Sequence, residues 1–196
     1  MKRMVTNLAV VALALTAAVS ASAAEFTLDK AHSVVEFTVK HLAISKVRGT
    51  FADYDAKFWY EPGKPENWKV EATIQAASIS TNNEDRDNHL RSEDFFEVEK
   101  YPTITFVSTG VEMTGEDTAK LMGDLTIHGV TKPVVLDLEI NGMVEFMGTT
   151  KAGFEASTKI NRKDFGLTWH KALETGGLVV SDEVQISLQI EGNRVE

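Results

Sequence analysis

Alternation between apolar and polar residues is the dominant pattern along this chain. A period of two places successive side chains on opposite faces of a strand. Each alternating stretch therefore predicts a strand with one apolar and one polar face. The pattern is clearest over residues 52–60, 70–76 and 184–190, and weaker over 35–39, 104–106, 121–127, 134–140 and 152–158. We expect about eight or nine strands, mostly antiparallel.

Turn residues separate the alternating stretches. Gly, Pro and Asn pairs favour tight turns, and Pro133 suits the first residue of a strand because proline cannot donate to a ladder. The predicted turns are Pro62-Gly63, Gly115-Glu116-Asp117, His128-Gly129, Asn141-Gly142 and Gly176-Gly177. Many short strands with regular turns indicate an all-β domain, either a sandwich or an up-and-down barrel.

One polar segment, residues 81–96, lacks alternation. Thr81 and Glu84 have the spacing of a capping box, which predicts a helix from about Asn82 to Leu90. Only Leu90 on this helix is strongly apolar, so it is not the kind of helix that lies in a membrane surface. We expect the helix to close or border one end of the barrel.

The predicted apolar faces mix large and small side chains. Barrels of about eight strands either fill their interior with side chains or hold one small ligand. Alternation alone leaves both possibilities open, because small residues also face large ones in a packed core. The small residues on these faces are Ala52, Ala56, Ala72, Ala76, Gly123, Ala152 and Ala156.

The N-terminus has the three parts of a secretory signal peptide. Lys2 and Arg3 precede an apolar run from residue 8 to residue 19, and Ala21-Ser22-Ala23 matches a cleavage site. The run is shorter than the about 20 residues needed to span a bilayer. The sequence therefore predicts a signal peptide over 1–23 and one exported domain over 24–196, with no stable membrane insertion.

Composition narrows the functional classes. The chain has 20 basic and 29 acidic residues, a net charge of −9, and no cysteine. Removing Lys2 and Arg3 makes the mature charge −11, that is −9 minus two. Nucleic acid is an improbable partner for so acidic a protein, and anionic membranes should repel it. The absence of cysteine excludes disulfides, Cys-ligated zinc and a Cys nucleophile.

Common catalytic motifs are absent from the sequence, and its five histidines have no ligand-like spacing. We therefore predict no catalytic residue, no metal and no cofactor. The densest polar cluster contains Arg86, His89 and Arg91. These side chains either donate charge-assisted hydrogen bonds to a polar ligand head or pair with nearby aspartates and fix the helix to the barrel.

Strand parity also predicts which side chains face the interior. If the barrel is hollow, these residues line the cavity. The predicted lining is Val35, Phe37, Tyr54, Phe58, Ile74, Phe106, Leu125, Leu136, Phe154 and Ile186.

Several motifs in this order resemble the YceI-like family over essentially the whole predicted mature chain. The matching residues are Asp85 to Phe96 with Tyr101-Pro102 and Phe106, Leu125 to Val134, Ala152 to Glu155, Lys163 to Leu167, and Ser181 to Val184.

The resemblance implies an antiparallel lipocalin-like barrel, exported to the periplasm, with a long apolar lipid inside it. Polyisoprenoids such as prenyl quinones or prenyl pyrophosphates are the ligand class attached to the family, and some members take fatty acids or their amides. The leading hypothesis is thus a nonenzymatic lipid carrier with a hollow barrel. The alternatives are an enzyme acting on a lipid in the same cavity and a carrier of fatty acids or their amides. The sequence does not indicate the oligomeric state.

Overall fold

The computed structural model describes residues 23–171 and 178–196. This part of the chain contains eleven strands and one α-helix, α1, over Glu84–Arg91. No helix in these described ranges is long and apolar enough to cross a membrane. The strands are β1 Ala24–Leu28, β2 Val34–His41, β3 Ser45–Phe51, β4 Tyr54–Tyr60, β5 Lys69–Gln75, β6 Ile79–Ser80, β7 Thr103–Met113, β8 Thr118–Ile127, β9 Val130–Phe146, β10 Thr149–Asn161 and β11 Val180–Arg194.

The strands form a closed antiparallel barrel with eight positions around its wall. Three positions hold two consecutive strands each: β1 with β2, β3 with β4, and β5 with β6. The long strand β11 closes the barrel because it pairs with β2 along its first part and with β1 near its end. The predicted all-β antiparallel barrel is therefore confirmed.

The three interrupted positions bend at the same level of the wall. The interruptions at 29–33, 52–53 and 76–78 are neighbours across the sheet. Local hydrogen bonds satisfy the backbone there: Ala52 N–H donates to the Ser78 carbonyl, and Gln75 N–H to the Asp53 carbonyl. The bend divides the barrel into one end near α1 and another near the 61–68 loop.

One turn prediction and the placement of Pro133 at the start of a strand were wrong. Asn141-Gly142 lies inside β9, where the register shifts at a β-bulge and Gly142 has a φ of 102°. A bulge uses the same positive φ that a turn would use; the chain turns instead at Met147-Gly148. Pro133 also lies inside β9, opposite Asp124. Proline has no backbone N–H to donate to a neighbouring strand. Pro133 is tolerated because β9 pairs with β10 only from Asp137 onward, so no strand lies beside Pro133 on that side to accept such a hydrogen bond. Gly176-Gly177 and residues 1–22 lie outside the described residues.

Helix α1 begins two residues later than predicted, and Thr81 is not its cap. Asn82 has a φ of 58°, outside the helical region. Asn83 is the N-cap, and its side chain accepts a hydrogen bond from the Arg86 N–H. The Thr81 hydroxyl and N–H instead donate to the carboxylate of Asp87, which is buried.

Arg91 joins α1 to the barrel wall. Among the described strands, β6 pairs only with β3, so its other edge has no strand beside it. Arg91 donates from Nε to the Ala77 carbonyl and from Nη2 to the Ile79 carbonyl, at 2.8 Å in each case. Its Nη1 donates to Asn88 Oδ1 within the helix. The Arg91 guanidinium therefore supplies the hydrogen-bond donors that a neighbouring strand would provide at this edge.

Arg91→Ala should destabilise the fold by about 1.5–3 kcal/mol, because the variant leaves edge carbonyls without a charged donor. Denaturant unfolding monitored by fluorescence measures the change. Arg48→Ala is the matched control: Arg48 is exposed and forms no ion pair within the described residues, so the change should stay within about 0.5 kcal/mol. Equal effects of the two variants would contradict the role of Arg91.

Candidate ligand-binding site

The barrel encloses a cavity of about 420 Å³ whose wall is almost entirely apolar. Its lining reaches from Tyr60 and Trp68 at one end to Arg86 and Trp169 near α1 at the other. Pockets that hold organic ligands usually have volumes of about 300–1,000 Å³ and predominantly hydrophobic walls. The barrel is therefore hollow, as the family resemblance implies.

All ten residues that strand parity assigned to the interior lie on the cavity wall. Their contact with a ligand stays a prediction. Further apolar residues continue the same faces, among them Leu121, Val134, Leu138, Leu188 and Ile190. The alternating stretches therefore form one continuous apolar surface.

Small residues play several different roles. Ala56, Ala72 and Ala156 line the cavity, as the mixed faces suggested. Ala76 and Ala152 are buried in packed clusters, and Ala52 is exposed at the bend, so its inward assignment was wrong. Alternation is lost at the bend because the backbone there leaves the extended ladder.

Glycines leave space in the wall for three phenylalanine rings. A Cβ added to Gly49 would lie 2.4 Å from Phe37 Cζ, and one added to Gly192 would lie 2.3 Å from Phe58 Cζ. Gly123 has the same relation to Phe106. Each ring thus occupies the space of a missing side chain on a nearby strand, which leaves the barrel axis open.

Aromatic packing closes the end near the 61–68 loop. Tyr60 and Trp68 are buried, with ring centroids 4.7 Å apart, and Tyr60 also contacts Phe154 edge to face. The Trp68 indole donates to the Glu61 carbonyl. At the other end, near α1, the lining includes Arg86, which is exposed, and His89, whose side chain is 42% exposed. We take this end, opposite the aromatic packing, as the mouth.

Arg86 lies at the mouth but already has protein partners. It donates from Nε to Thr81 Oγ1 (2.7 Å) and from Nη2 to the Thr81 carbonyl (2.9 Å). The Thr81 hydroxyl donates in turn to Asp87. Burial raises the pKa of Asp87, but the hydrogen bonds from Thr81 outweigh this effect and hold the pKa below its usual value. Asp87 therefore stays charged and anchors Thr81, and Thr81 orients Arg86.

His89 forms the second polar group of the mouth. Its Nε2 lies 2.8 Å from Asp94 Oδ2, and its ring packs edge to face against Phe95 and Trp169. Phe95, Trp169 and His89 all line the cavity. This aromatic group holds the 92–96 turn against the 167–169 segment, so His89 is both a packing residue and a rim residue.

Arg91 does not line the cavity, in contrast to Arg86 and His89. Its three donors are used by Ala77, Ile79 and Asn88. Of the two roles that the sequence left open for Arg91, these contacts favour the structural one, in which it fixes the helix to the barrel. Helix periodicity puts residues 86, 89 and 90 on one side, and Arg91 lies nearly on the opposite side, facing the edge of β6.

Arg162 is a mouth residue that the sequence analysis missed. It is only 3% exposed, lines the cavity and donates to the carbonyls of Ser181 and Leu167 and to Asp182 Oδ1. Burial lowers the pKa of its guanidinium, and Asp182 opposes that effect. The turn after β10 brings it there, and no strand or helix periodicity extends across that turn.

A separate polar cluster lies where β1, β10 and β11 meet. One ligand-type atom each of Asp29, His32 and Glu191 lies within 4.8 Å of the others. Lys151 Nζ donates to Asp29 Oδ2 at 2.9 Å and to Glu191 Oε1 at 2.7 Å. Hydrogen bonding to Lys151 holds the pKa of Asp29 well below its usual value. The lysine thus supplies positive charge to these carboxylates and joins three strands.

Comparisons with known proteins agree with this architecture. The family model described as "YceI-like domain" matches residues 26–192. A UPF0312 protein of Azotobacter vinelandii is 43% identical over 184 residues, which cover 92% of this chain and 93% of the relative. The crystal structure of the Campylobacter jejuni YCEI protein is 41% identical, with a TM-score of 0.71, and the match covers 87% of this chain and 98% of that one.

A more distant structure has the same fold. It is described as a polyisoprenoid binding domain from Saccharophagus degradans, and it is 17% identical with a TM-score of 0.66 over 89% of this chain and 100% of that one. The family model spans nearly all of the described barrel, and the Azotobacter relative is 43% identical over nearly the complete length of both chains. The chain therefore belongs to the YceI-like family.

Proposed function

We propose that this protein is an exported, nonenzymatic carrier that holds a long apolar lipid of the polyisoprenoid class inside its barrel. The observation that carries the proposal is the continuous, almost entirely apolar cavity, with Arg86, His89 and Arg162 among the few polar residues of its lining. An amphiphile with a long tail and a small polar head matches this distribution. The structural similarity to a polyisoprenoid binding domain supports the same ligand class.

The cavity accounts for affinity better than for chain-length selectivity. Each buried CH₂ contributes about 0.8 kcal/mol, so a five-carbon isoprene unit contributes roughly 3–4 kcal/mol. Several units would pass the practical limit of noncovalent affinity, about −18 to −21 kcal/mol. Chain length is therefore selected by cavity depth and by the mouth, not by apolar contact alone.

The mouth favours a head that accepts hydrogen bonds. Arg86 and Arg162 are donors, but each is already engaged by protein acceptors, and Arg162 has Asp182 as its counter-ion. A carbonyl head, as in a prenyl quinone, needs only the remaining N–H groups. A pyrophosphate head would also need charge that Asp87 and Asp182 partly offset.

An enzyme acting on a lipid in the same cavity is the competing hypothesis. His89 with Asp94 has the form of a base beside an orienting carboxylate. Within the described residues, no hydroxyl group hydrogen-bonds to the His89 ring, so this pair lacks an activated nucleophile. Incubation of the protein with a prenyl quinone, a prenyl pyrophosphate and a fatty acid amide, followed by product analysis, separates a carrier from a catalyst.

Ligand identity is tested directly by mass spectrometry of lipid extracted from protein purified from its native host. A polyisoprenoid at close to one molecule per chain is the expected result. A bound fatty acid or amide would contradict the polyisoprenoid ligand class but would agree with a carrier function. Empty protein that also fails to bind an added prenyl quinone would contradict the proposal.

Ala72→Phe should shorten the cavity and lower lipid occupancy several-fold, because Ala72 lies on the cavity wall between Ala56 and Phe106. Thr73→Phe is the matched control, since Thr73 is exposed on the outer face of the same strand. Occupancy is measured as extracted lipid per protein. A folded Ala72→Phe variant that retains full occupancy would show that this face does not hold the ligand.

Arg86→Ala should accelerate ligand release about tenfold or more if its guanidinium holds the head, since a hydrogen bond from a charged donor contributes about 1.5–3 kcal/mol. Release of a prenyl quinone to excess acceptor vesicles gives the rate. Lys57→Gln, which changes an exposed residue outside the cavity lining, should leave the release rate unchanged. If Arg86→Ala lowers stability but also leaves the release rate unchanged, Arg86 serves only to anchor the helix through Thr81.

Export is the remaining part of the proposal. Ala24 and Glu25 begin β1 and pair with Tyr60 and Trp59 of β4. Cleavage after Ala23 would thus leave the whole sheet intact. Intact mass of the periplasmic protein should correspond to a chain starting at Ala24 or Glu25. A full-length chain held stably in the membrane fraction would contradict it.

A further inference from the structure

The hairpin of β2 and β3 combines exposed positive charge with an apolar tip. Residues 37–52 contain Lys40, Lys46 and Arg48 but no Asp or Glu, in a chain whose net charge is −9. All three cations are exposed. At the turn between the strands, Ile44 is 85% exposed. The hairpin is therefore locally basic in an acidic protein, and its turn is apolar.

The arrangement of these charges is unfavourable for the isolated fold. Lys40 and Lys46 are direct partners in the ladder, and Arg48 follows on the same outer face. Like charges directly opposite each other on a sheet destabilise it. Within the described residues, none of the three forms an ion pair, and the nearby Glu183 on β11 pairs with Lys159 at 3.1 Å. An external anion would relieve this repulsion.

The hairpin also lies at the mouth of the cavity. Val39, His41 and Val47, which alternate with the exposed cations, line the cavity wall. The Leu42 N–H donates to the Val179 carbonyl, and Val179 is itself a lining residue. A surface that binds the outer face and tip of the hairpin would therefore be in contact with the rim of the mouth.

We propose that the β2–β3 hairpin docks the mouth of the barrel onto a bilayer that contains anionic phospholipid. Lys40, Lys46 and Arg48 contact the phosphate groups, and Ile44 inserts at the level of the headgroups. Basic residues near an anionic leaflet attract it in proportion to their number, and the attraction is local because it decays within a Debye length. The acidic remainder of the protein therefore does not prevent docking by this hairpin.

A bilayer fits the hairpin better than a second copy of the chain does. Stable protein interfaces bury about 1,200–2,000 Å² in total, which one short turn cannot supply. A second copy would also bring its own three cations to the interface. The apolar turn at the other end, with Met147 90% exposed, has Glu145 beside it and lacks basic neighbours in residues 139–150. Both turns are apolar, but only the β2–β3 turn has basic residues that could bind an anionic surface.

Vesicle co-sedimentation of the mature protein tests the proposal. Vesicles of phosphatidylcholine with phosphatidylglycerol should bind the protein, and the binding should weaken as salt is added. Vesicles of phosphatidylcholine alone should bind it weakly. Lys46→Gln should lower the affinity about fivefold, which corresponds to about 1 kcal/mol for one basic residue at an anionic surface. The Lys40→Gln/Lys46→Gln double variant should lower it roughly 25-fold.

Matched variants at the opposite end identify the docking surface. Lys57→Gln changes an exposed lysine on β4, the strand that continues β3, and should leave binding unchanged. Ile44→Ser should weaken binding about tenfold through loss of apolar burial, whereas Met147→Ser should not. Equal binding to neutral and anionic vesicles, or loss of binding only with Met147→Ser, would overturn the proposal. Dimers that disappear in the lysine variants, without vesicle binding, would indicate a second copy and also overturn it.

Docking is independent of whether the cavity is filled, although its use in lipid transfer rests on the proposed function. Loading with a prenyl quinone from detergent, without a bilayer, should be equal in wild type and in the lysine double variant. Protein that loads but does not dock would refute the docking surface and leave the carrier function intact. Protein that docks but does not load would refute the carrier function alone.

Discussion

The edge of β6 is the constraint on which the mouth depends. A barrel normally removes free sheet edges by closure, but β6 is only two residues long and pairs with β3 alone among the described strands. Its outward carbonyls still need donors. Arg91 supplies them, and because Arg91 ends α1, satisfying the edge also fixes the helix. Arg86 and His89 then reach the cavity from the opposite side of that helix. The hydrogen bonds of Arg91 thus satisfy the carbonyls at the edge of β6 and also position the polar residues of the rim.

The second requirement is that the interior stay open although it is rich in aromatic residues. Empty apolar space costs contacts, and interiors normally close-pack. Here Gly49, Gly123 and Gly192 receive the rings of Phe37, Phe106 and Phe58 against the wall. Each ring therefore lies close to the backbone of its glycine. Packing is concentrated at the closed end, where Tyr60, Trp68 and Phe154 form one cluster. The wall is therefore well packed while the axis remains free for a tail.

Most of the wall could be predicted from the sequence, because alternation is a local signal that fixes which face each residue occupies. All ten parity-assigned residues reach the cavity for this reason. The predictions from the sequence fail at positions where contacts between residues distant in the sequence determine the local structure. Ala52 leaves the interior at a bend shared by three neighbouring strands. Asn141-Gly142 has the residues of a turn but forms a bulge, since pairing with β10 continues past it. Thr81 looks like a cap, yet the buried Asp87 competes for its hydroxyl. Arg162 enters the site through a turn with no periodicity.

The apolar wall has a kinetic consequence if the protein carries a lipid as proposed. A tail that leaves the cavity through water exposes its apolar surface, at about 0.8 kcal/mol for each CH₂. That cost rises with every isoprene unit and soon dominates the barrier to release. Head contacts at the mouth add only a few kcal/mol, because Arg86 and Arg162 are already shared with protein acceptors. Exchange rates for long chains therefore depend less on the head than on how far the tail travels through water. If the β2–β3 hairpin docks on a bilayer as proposed, the mouth faces the headgroup layer and that path is shorter.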